Sequence, residues 1–183
     1  MKNVNNTNQD HDYSTLINKY KDLAYSIALK ITKNDLDSEE IVQDSFLKAF
    51  NGLKNFKNES QFSTWFYRIV YNTSISSIRR KKYQSVEIDN KMIAQYENTQ
   101  LENVLMKLDD QDRKHLISEA MSKLSEIDYT VLSLFYYEEL SLKNISKIVN
   151  KDQNYLKVLI QRARIKLYQS LSSASKLELK GLL

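Results

Sequence analysis

Apolar residues recur at every third or fourth position along most of the chain, which is the spacing of one face of an α-helix. The first such stripe consists of Leu16, Tyr20, Leu23, Ile27 and Ile31. It ends at the polar pair Asn34-Asp35. With no proline and only two glycines, the chain has few residues that interrupt helices. The pattern therefore predicts an all-α protein.

Two further helices are predicted between residues 37 and 82. Asp37 is expected to begin the first, with Glu40 three residues later giving a start that resembles a capping box. The second is expected to begin near Ser60 and to bury one apolar face. That face consists of Phe62, Trp65, Phe66, Ile69, Val70 and Thr73. The outer face collects Thr64, Arg68, Asn72, Ile75 and Arg79, and runs on into a basic end.

The composition changes between residues 85 and 112, where seven acidic residues stand against two lysines and apolar residues are sparse. This segment is predicted to be an acidic linker, with a short helix at about 101–108. The predicted organisation is a disordered N-terminus (1–12), a first helical domain (13–83), the linker (84–112), a second helical domain (113–172) and a frayed tail (173–183).

Helical spacing resumes after the linker, at about 115–124, 125–137, 141–149 and 152–171, with Ser125, Ser141 and Asp152 as expected N-caps. The last two helices have the spacing of a helix-turn-helix unit. Asn150 stands where the turn needs a left-handed residue, and asparagine adopts that conformation more readily than most side chains. The second helix of the unit would enter the major groove of DNA.

The composition excludes several classes of function. The net charge of +4 and the pI near 9.0 favour a nucleic-acid or acidic-membrane partner. No cysteine is present and the two histidines are far apart in sequence, so metal, cofactor and redox roles are not expected. Neither a nucleophile with a base nor a phosphate loop is recognisable, so no enzyme is expected. No apolar run is long enough for a membrane span, and a cytoplasmic protein is expected.

The order of charges between residues 37 and 82 is informative. An acid-headed helix precedes an aromatic helix that ends in four consecutive cations, Arg79 to Lys82. A protein that only binds DNA has little use for acids beside its DNA surface, whereas an adaptor between a protein and melted DNA needs both. A helix-turn-helix regulator without a second protein partner remains the alternative.

Two segments carry a family resemblance. The first, DSEEIVQDSFLKAF followed by FSTWFYRIVYNTSISSIRRKK, resembles region 2 of the sigma-70 family in its extracytoplasmic-function (ECF) branch. The second, LSEIDYTVLSLFYYEELSLKNISKIVNKDQNYLKVLIQRARIKL, resembles region 4. The resemblance implies a bacterial initiation factor that binds RNA polymerase core and recognises and melts promoter DNA. It also implies contacts with the polymerase β subunit through region 4, and an anti-sigma partner is compatible with it.

By matching positions, the resemblance assigns a surface for the polymerase β′ subunit to the first of the two region 2 helices. Its residues are Glu39, Glu40, Gln43, Asp44, Leu47 and Lys48. Stabilisation of the helix N-terminus is an alternative role for the two glutamates, because acids there interact favourably with the helix dipole.

The resemblance assigns contacts with the minus-10 element to the following loop and helix. They are Phe56, Lys57, Asn58, Gln61, Thr64, Trp65, Arg68, Asn72, Arg79, Arg80, Lys81 and Lys82. The loop would read an extruded base, and the cations would hold phosphates. Trp65 also lies on the apolar stripe, so a core role is favoured for it over a DNA contact.

Contacts with the minus-35 element are assigned to Asn154, Tyr155, Lys157, Val158, Gln161, Arg162, Arg164 and Lys166. Here the chain departs from the family, because Val158 and Leu159 stand at positions expected to be polar and DNA-facing. Few side chains remain that could read base edges. Weak minus-35 readout, with help from another DNA-bound protein, is therefore expected.

Overall fold

The computed structural model describes residues 13–53, 61–82 and 110–181. This part of the chain is helical and contains no strand. Its helices are α1 (Tyr13–Thr32), α2 (Asp35–Gly52), α3 (Phe62–Lys82), α4 (Asp110–Ser122), α5 (Glu126–Tyr136), α6 (Leu142–Val149) and α7 (Gln153–Gly181). The all-α prediction is confirmed.

An aromatic cluster holds α1, α2 and α3 together. Phe66 is fully buried and stacks on Phe46 of α2, with ring centroids 4.4 Å apart. Tyr20 of α1 contacts Phe62 and Phe66 at 5.4 and 6.0 Å. Aromatic pairs at these separations add to the free energy gained by burying their area, so this face of α3 fixes the three-helix unit.

The second half is built around a helix-turn-helix. Ser125 and Ser141 cap α5 and α6, each accepting from the backbone N–H three residues on. Asn150 ends α6 in the left-handed conformation, at φ 52° and ψ 51°. Ser146 donates to the carbonyl of Lys151 at 2.6 Å and so fastens the turn. These local features agree with the sequence-based predictions.

Three boundaries differ from prediction. Helix α2 begins at Asp35 rather than at Asp37, because Asn34 caps it by accepting from the Asp37 N–H at 2.9 Å. Helix α4 begins at Asp110, inside the segment predicted as linker, and α7 continues to Gly181 through the tail predicted to fray. The predicted helix at 101–108 and the predicted disorder of 1–12 lie outside the described residues.

The two halves pack on each other and share one apolar core. Helix α3 packs against α6, and α1 packs against α5. Polar contacts cross the same boundary. Tyr67 donates to the Glu138 carboxylate at 2.7 Å, and the Lys30 ammonium donates to the Ser122 carbonyl at 2.5 Å.

Candidate protein- and nucleic-acid-binding surfaces

Helix α2 presents an exposed face that we call the α2 strip. It consists of Glu39, Glu40, Gln43, Asp44 and Leu47, all of which are exposed. Leu47 is 60% exposed. The buried side of the same helix holds Ile41, Phe46 and Ala49. The strip is therefore a mixed apolar, amide and acidic surface on a well-anchored helix.

Leu36 extends this strip and was missed by sequence reasoning. It is 77% exposed, and it lies on the same helical face as Glu40, Gln43 and Leu47 because the spacings are four, three and four residues. The prediction began the helix at Asp37 and so left Leu36 outside it. The spacing from Leu36 to Leu47 was the available signal.

A cleft of about 280 Å³ runs along one side of the strip, between α1 and α2. Lys21, Asp22 and Tyr25 of α1 line it together with Glu39 and Gln43.

The base of this cleft is held by Tyr25, whose hydroxyl donates to Asp35 at 2.7 Å. This hydrogen bond, with burial and the nearby acids, raises the pKa of Tyr25, so its hydroxyl remains a donor at neutral pH.

Because α2 begins at Asp35, the interpretation of Glu39 and Glu40 also changes. Asp35 and Asp37 lie in the first turn of α2, where the dipole effect is concentrated. Glu39 and Glu40 lie beyond that turn and are exposed. Stabilisation of the helix N-terminus therefore explains the two aspartates better than the two glutamates.

Lys48 lies at the opposite edge of α2 from the cleft. Its ammonium donates to the Thr73 hydroxyl of α3 at 3.3 Å. The side chain is exposed, but it is directed toward the basic helix. Of the six residues assigned to the polymerase surface, it is the one for which the described residues show a hydrogen bond to α3.

The outer face of α3 is basic and polar. Arg68, Asn72, Arg79 and Arg80 are exposed, and Gln61 is exposed just before the helix begins. These side chains are free to meet a nucleic acid without rearrangement of the core. Lys81 and Lys82 are the last two residues of the same helix. Phe56, Lys57 and Asn58 lie outside the described residues.

Thr64 was expected on this outer face, and that placement is wrong. It is only 2% exposed, and its hydroxyl has no hydrogen-bond partner within the described segments. The expectation treated α3 as packed on one side only. Since α6 packs against α3 as well, a second side of the helix is covered, and Thr64 lies one turn before Tyr67 on that side.

Trp65 is partly buried at the end of α2. Its ring lies so close to Gly52 that a Cβ at residue 52 would meet the ring at 2.9 Å. It also contacts Phe62 edge to face, at 5.9 Å between centroids. The ring is neither fully in the core nor fully free, so the core role and the DNA role assigned to it are compatible.

The recognition helix α7 exposes most of the residues assigned to it. Asn154, Tyr155, Lys157, Val158, Gln161 and Arg162 are all exposed. Val158 is 55% exposed, so an apolar side chain does stand on this face. Leu159 is 5% exposed and belongs to the core, so its expected position on the DNA side is wrong.

Two cations assigned to DNA contact other helices of the same fold. Arg164 is exposed, but its guanidinium lies over the ring of Tyr136 at 5.3 Å. Lys166 is half-buried and pairs with the buried carboxylate of Asp128 at 2.5 Å. These contacts fasten α7 to α5. The Lys166 ammonium therefore has a counter-charge inside the fold.

Within residues 13–53, 61–82 and 110–181, no group of three metal-ligating side chains is found. A search of the same residues finds no helix long and apolar enough to cross a membrane.

A packed three-helix unit followed by a helix-turn-helix is an arrangement typical of transcription factors. The family models for sigma-70 region 2 and sigma-70 region 4 match residues 16–83 and 114–167. The ECF RNA polymerase sigma factor SigW of Bacillus subtilis is 30% identical over 170 residues, which is 90% of each chain. The chain therefore belongs to the sigma-70 family and is of the ECF type. It binds RNA polymerase and recognises promoter DNA.

Other relatives agree with this assignment. The RNA polymerase sigma factor YlaC of Bacillus subtilis is 30% identical over 139 residues, which is 75% of this chain and 79% of YlaC. Among solved structures, the sigma factor RpoE from Bartonella quintana, in complex with the anti-sigma factor NepR, superposes with a TM-score of 0.62 at 21% identity. That match covers 88% of this chain and 97% of RpoE, and it supports the fold.

Proposed function

We propose that the α2 strip binds the coiled coil of the polymerase β′ subunit. The observation that carries this proposal is the pair of exposed leucines, Leu36 and Leu47, which flank Glu40, Gln43 and Asp44 on one helix face. The leucines would bury apolar area against a partner helix, and the acids would pair with basic residues on it. Charge complementarity would also fix the orientation of docking.

A charge reversal tests this surface. Asp44→Arg should lower the affinity for core polymerase at least tenfold, because it sets a cation against a basic partner, and Gln43→Ala should lower it less. The measurement is a titration of core polymerase with labelled protein, with circular dichroism as the control for folding. Undiminished binding by both variants would remove the strip from the polymerase interface.

The outer face of α3 is proposed to bind the minus-10 element, together with Gln61 and the loop before it. Arg68, Arg79 and Arg80 supply phosphate contacts, which carry no sequence information. Bases would be read by Asn58 and Gln61, in the manner of pockets that accept an extruded base. Substitutions at these two residues should change base preference in a randomised minus-10 library, whereas Arg79→Ala should lower binding to all promoters alike.

Helix α7 is proposed to bind the minus-35 element with weak sequence preference. The exposed Val158 on this face supports this, together with the ion pair by which Asp128 already neutralises Lys166. Each good bidentate base contact supplies about 1–3 kcal/mol of discrimination, and few such side chains remain. Another DNA-bound protein would then help to place the polymerase, with Tyr155 or Val158 in its contact surface.

The sequence preference of α7 can be measured by scrambling the minus-35 and the minus-10 element of a mapped promoter in turn. Scrambling minus-35 should reduce initiation much less than scrambling minus-10. Equal losses would mean that α7 reads the minus-35 sequence. There would then be no reason to propose a second DNA-bound protein.

The remaining assignments concern cellular context. The protein is proposed to act in the cytoplasm, without a cofactor or catalytic activity of its own. An anti-sigma factor is a proposed partner, since the RpoE structure of similar fold is a complex with one. A regulator that never joins polymerase would leave the exposed acids and leucines of α2 without a role, and failure to bind core polymerase would favour it.

A further inference from the structure

Lys48 follows the α2 strip directly in sequence, and its side chain points toward the basic helix α3. The cleft residues Glu39 and Gln43 define the side of α2 that faces α1. Lys48 is on the other side, where its ammonium reaches Thr73 at 3.3 Å. Asp44 is one helical turn before Lys48, so two neighbouring exposed positions of one helix carry opposite charges.

Thr73 is only 9% exposed, so the Lys48 ammonium lies at the edge of the buried surface, and the next positions on this side of α3 are exposed and polar. Ser76 and Arg80 follow Thr73 by three and seven residues, on the same side of the helix, and both are exposed. Ser76 is also one turn after Asn72, so it joins this side to the outer basic face. The exposed polar surface of α3 therefore continues through Ser76 to the Lys48 ammonium.

The chemistry of this edge suits a phosphate backbone. An ammonium has three donors, and Thr73 accepts only one of them, which leaves two for phosphate oxygens. Arg80 is two helical turns beyond Thr73, about 10 Å along the axis. Two cations at that separation can reach different phosphates of one strand. Lys48 and Arg80 could thus hold phosphates a few nucleotides apart, with the Ser76 hydroxyl between them.

We propose that Lys48 is a DNA-backbone contact and not a polymerase contact. The border between the protein surface and the DNA surface of region 2 then falls between Asp44 and Lys48, one turn apart on α2. The inference rests on the proposed function of α3 as the minus-10 surface, and it adds α2 to the elements that touch DNA.

The experiment compares Lys48→Gln, Asp44→Arg and Arg80→Ala in complex with core polymerase. Promoter affinity is measured by fluorescence anisotropy between 50 and 200 mM salt, and core affinity is measured separately. Lys48→Gln should reduce the slope of log affinity against log salt by about 0.7–0.9, the value for one lost phosphate contact. Over that salt range the wild type would lose about threefold more affinity than the variant. Its core affinity should be unchanged, unlike that of Asp44→Arg.

Weaker core binding by Lys48→Gln with an unchanged salt slope would overturn the inference, because Lys48 would then belong to the polymerase surface. An unchanged slope with unchanged core binding would overturn it too. Arg80→Ala distinguishes the role proposed for Lys48 from the role proposed for α3. If its slope falls while that of Lys48→Gln does not, α3 binds DNA and only the role of Lys48 is wrong. If neither slope changes, α3 is not the DNA surface and the proposed function also fails.

Discussion

The contact of Trp65 with Gly52 shows how one small residue sets the position of an aromatic ring. The ring occupies the space that a side chain at residue 52 would need. The same ring lies next to Phe62, whose own ring stacks on Phe66 in the aromatic core. The missing Cβ at the end of α2 therefore lets the tryptophan at the start of α3 pack against α2.

Gly52→Ala should displace this ring. Alanine is usually worth about 0.5–1 kcal/mol more than glycine within a helix, but overpacking costs about 1–3 kcal/mol, so a net loss of about 1 kcal/mol is expected. Trp65 is the only tryptophan, so its emission reports the displacement directly. Asn51→Ala, at the exposed neighbouring position, is the matched control and should leave the emission unchanged. A more stable Gly52→Ala variant with unaltered emission would contradict the steric argument.

At the scale of the elements, local sequence signals predicted most helices correctly. The burial of individual residues depended on how the helices pack. Ser125, Ser141 and Asn150 were predicted correctly, because caps and turns depend on a few neighbouring residues. The start of α2 was missed because Asn34 and Asp37 are both good caps and the pattern does not choose between them. Thr64 and Leu159 were misplaced because their burial depends on helices distant in sequence. The assignments of individual residues to polymerase and to DNA came from resemblance and remain predictions.

The ion pair between α5 and α7 offers a test at this scale. Asp128 is almost fully buried, so Lys166→Met would leave its carboxylate without its counter-charge. Breaking a buried pair typically costs 3–5 kcal/mol, and a loss of about 3 kcal/mol in unfolding free energy is expected because Lys166 keeps some exposure. Urea unfolding measures it.

The matched control is Lys123→Met, which breaks the exposed pair with Glu119 and should leave the unfolding midpoint almost unchanged. Equal effects of the two variants would mean that burial does not set the strength of the α5–α7 ion pair.

At the scale of the whole molecule, the two helical units predicted from the sequence pack on each other and share an apolar core. Buried faces of α3 serve both halves, since Phe66 packs against Phe46 while Tyr67 donates to Glu138. Lys33 adds an ion pair with Glu126 across the same boundary, at 3.7 Å. Periodicity identifies an apolar stripe but not its partner, so this packing could not be read from the sequence.

Tyr67 makes the packing of the two halves sensitive to alkaline pH. Burial, followed by the hydrogen bond to Glu138, raises the pKa of Tyr67 well above its usual value of 10.0. Above pH 10 the unfolded tyrosine ionises while the folded one stays neutral. The stability that it contributes is therefore complete below pH 10 and declines as the pH rises further. The decline for one such group is about 1.4 kcal/mol per pH unit.

Tyr67→Phe should accordingly be less stable than the wild type at pH 8, by about 1–2 kcal/mol for the lost hydrogen bond. The two stabilities should converge between pH 10 and 11.5, because the variant lacks the ionisation that weakens the wild type. Urea unfolding at several pH values gives both curves, and the lysines that titrate in this range affect both proteins equally. Tyr13→Phe, at an exposed tyrosine, should run parallel to the wild type. Curves for Tyr67→Phe and the wild type that stay parallel through pH 11.5 would show that Tyr67 is not held neutral between the halves.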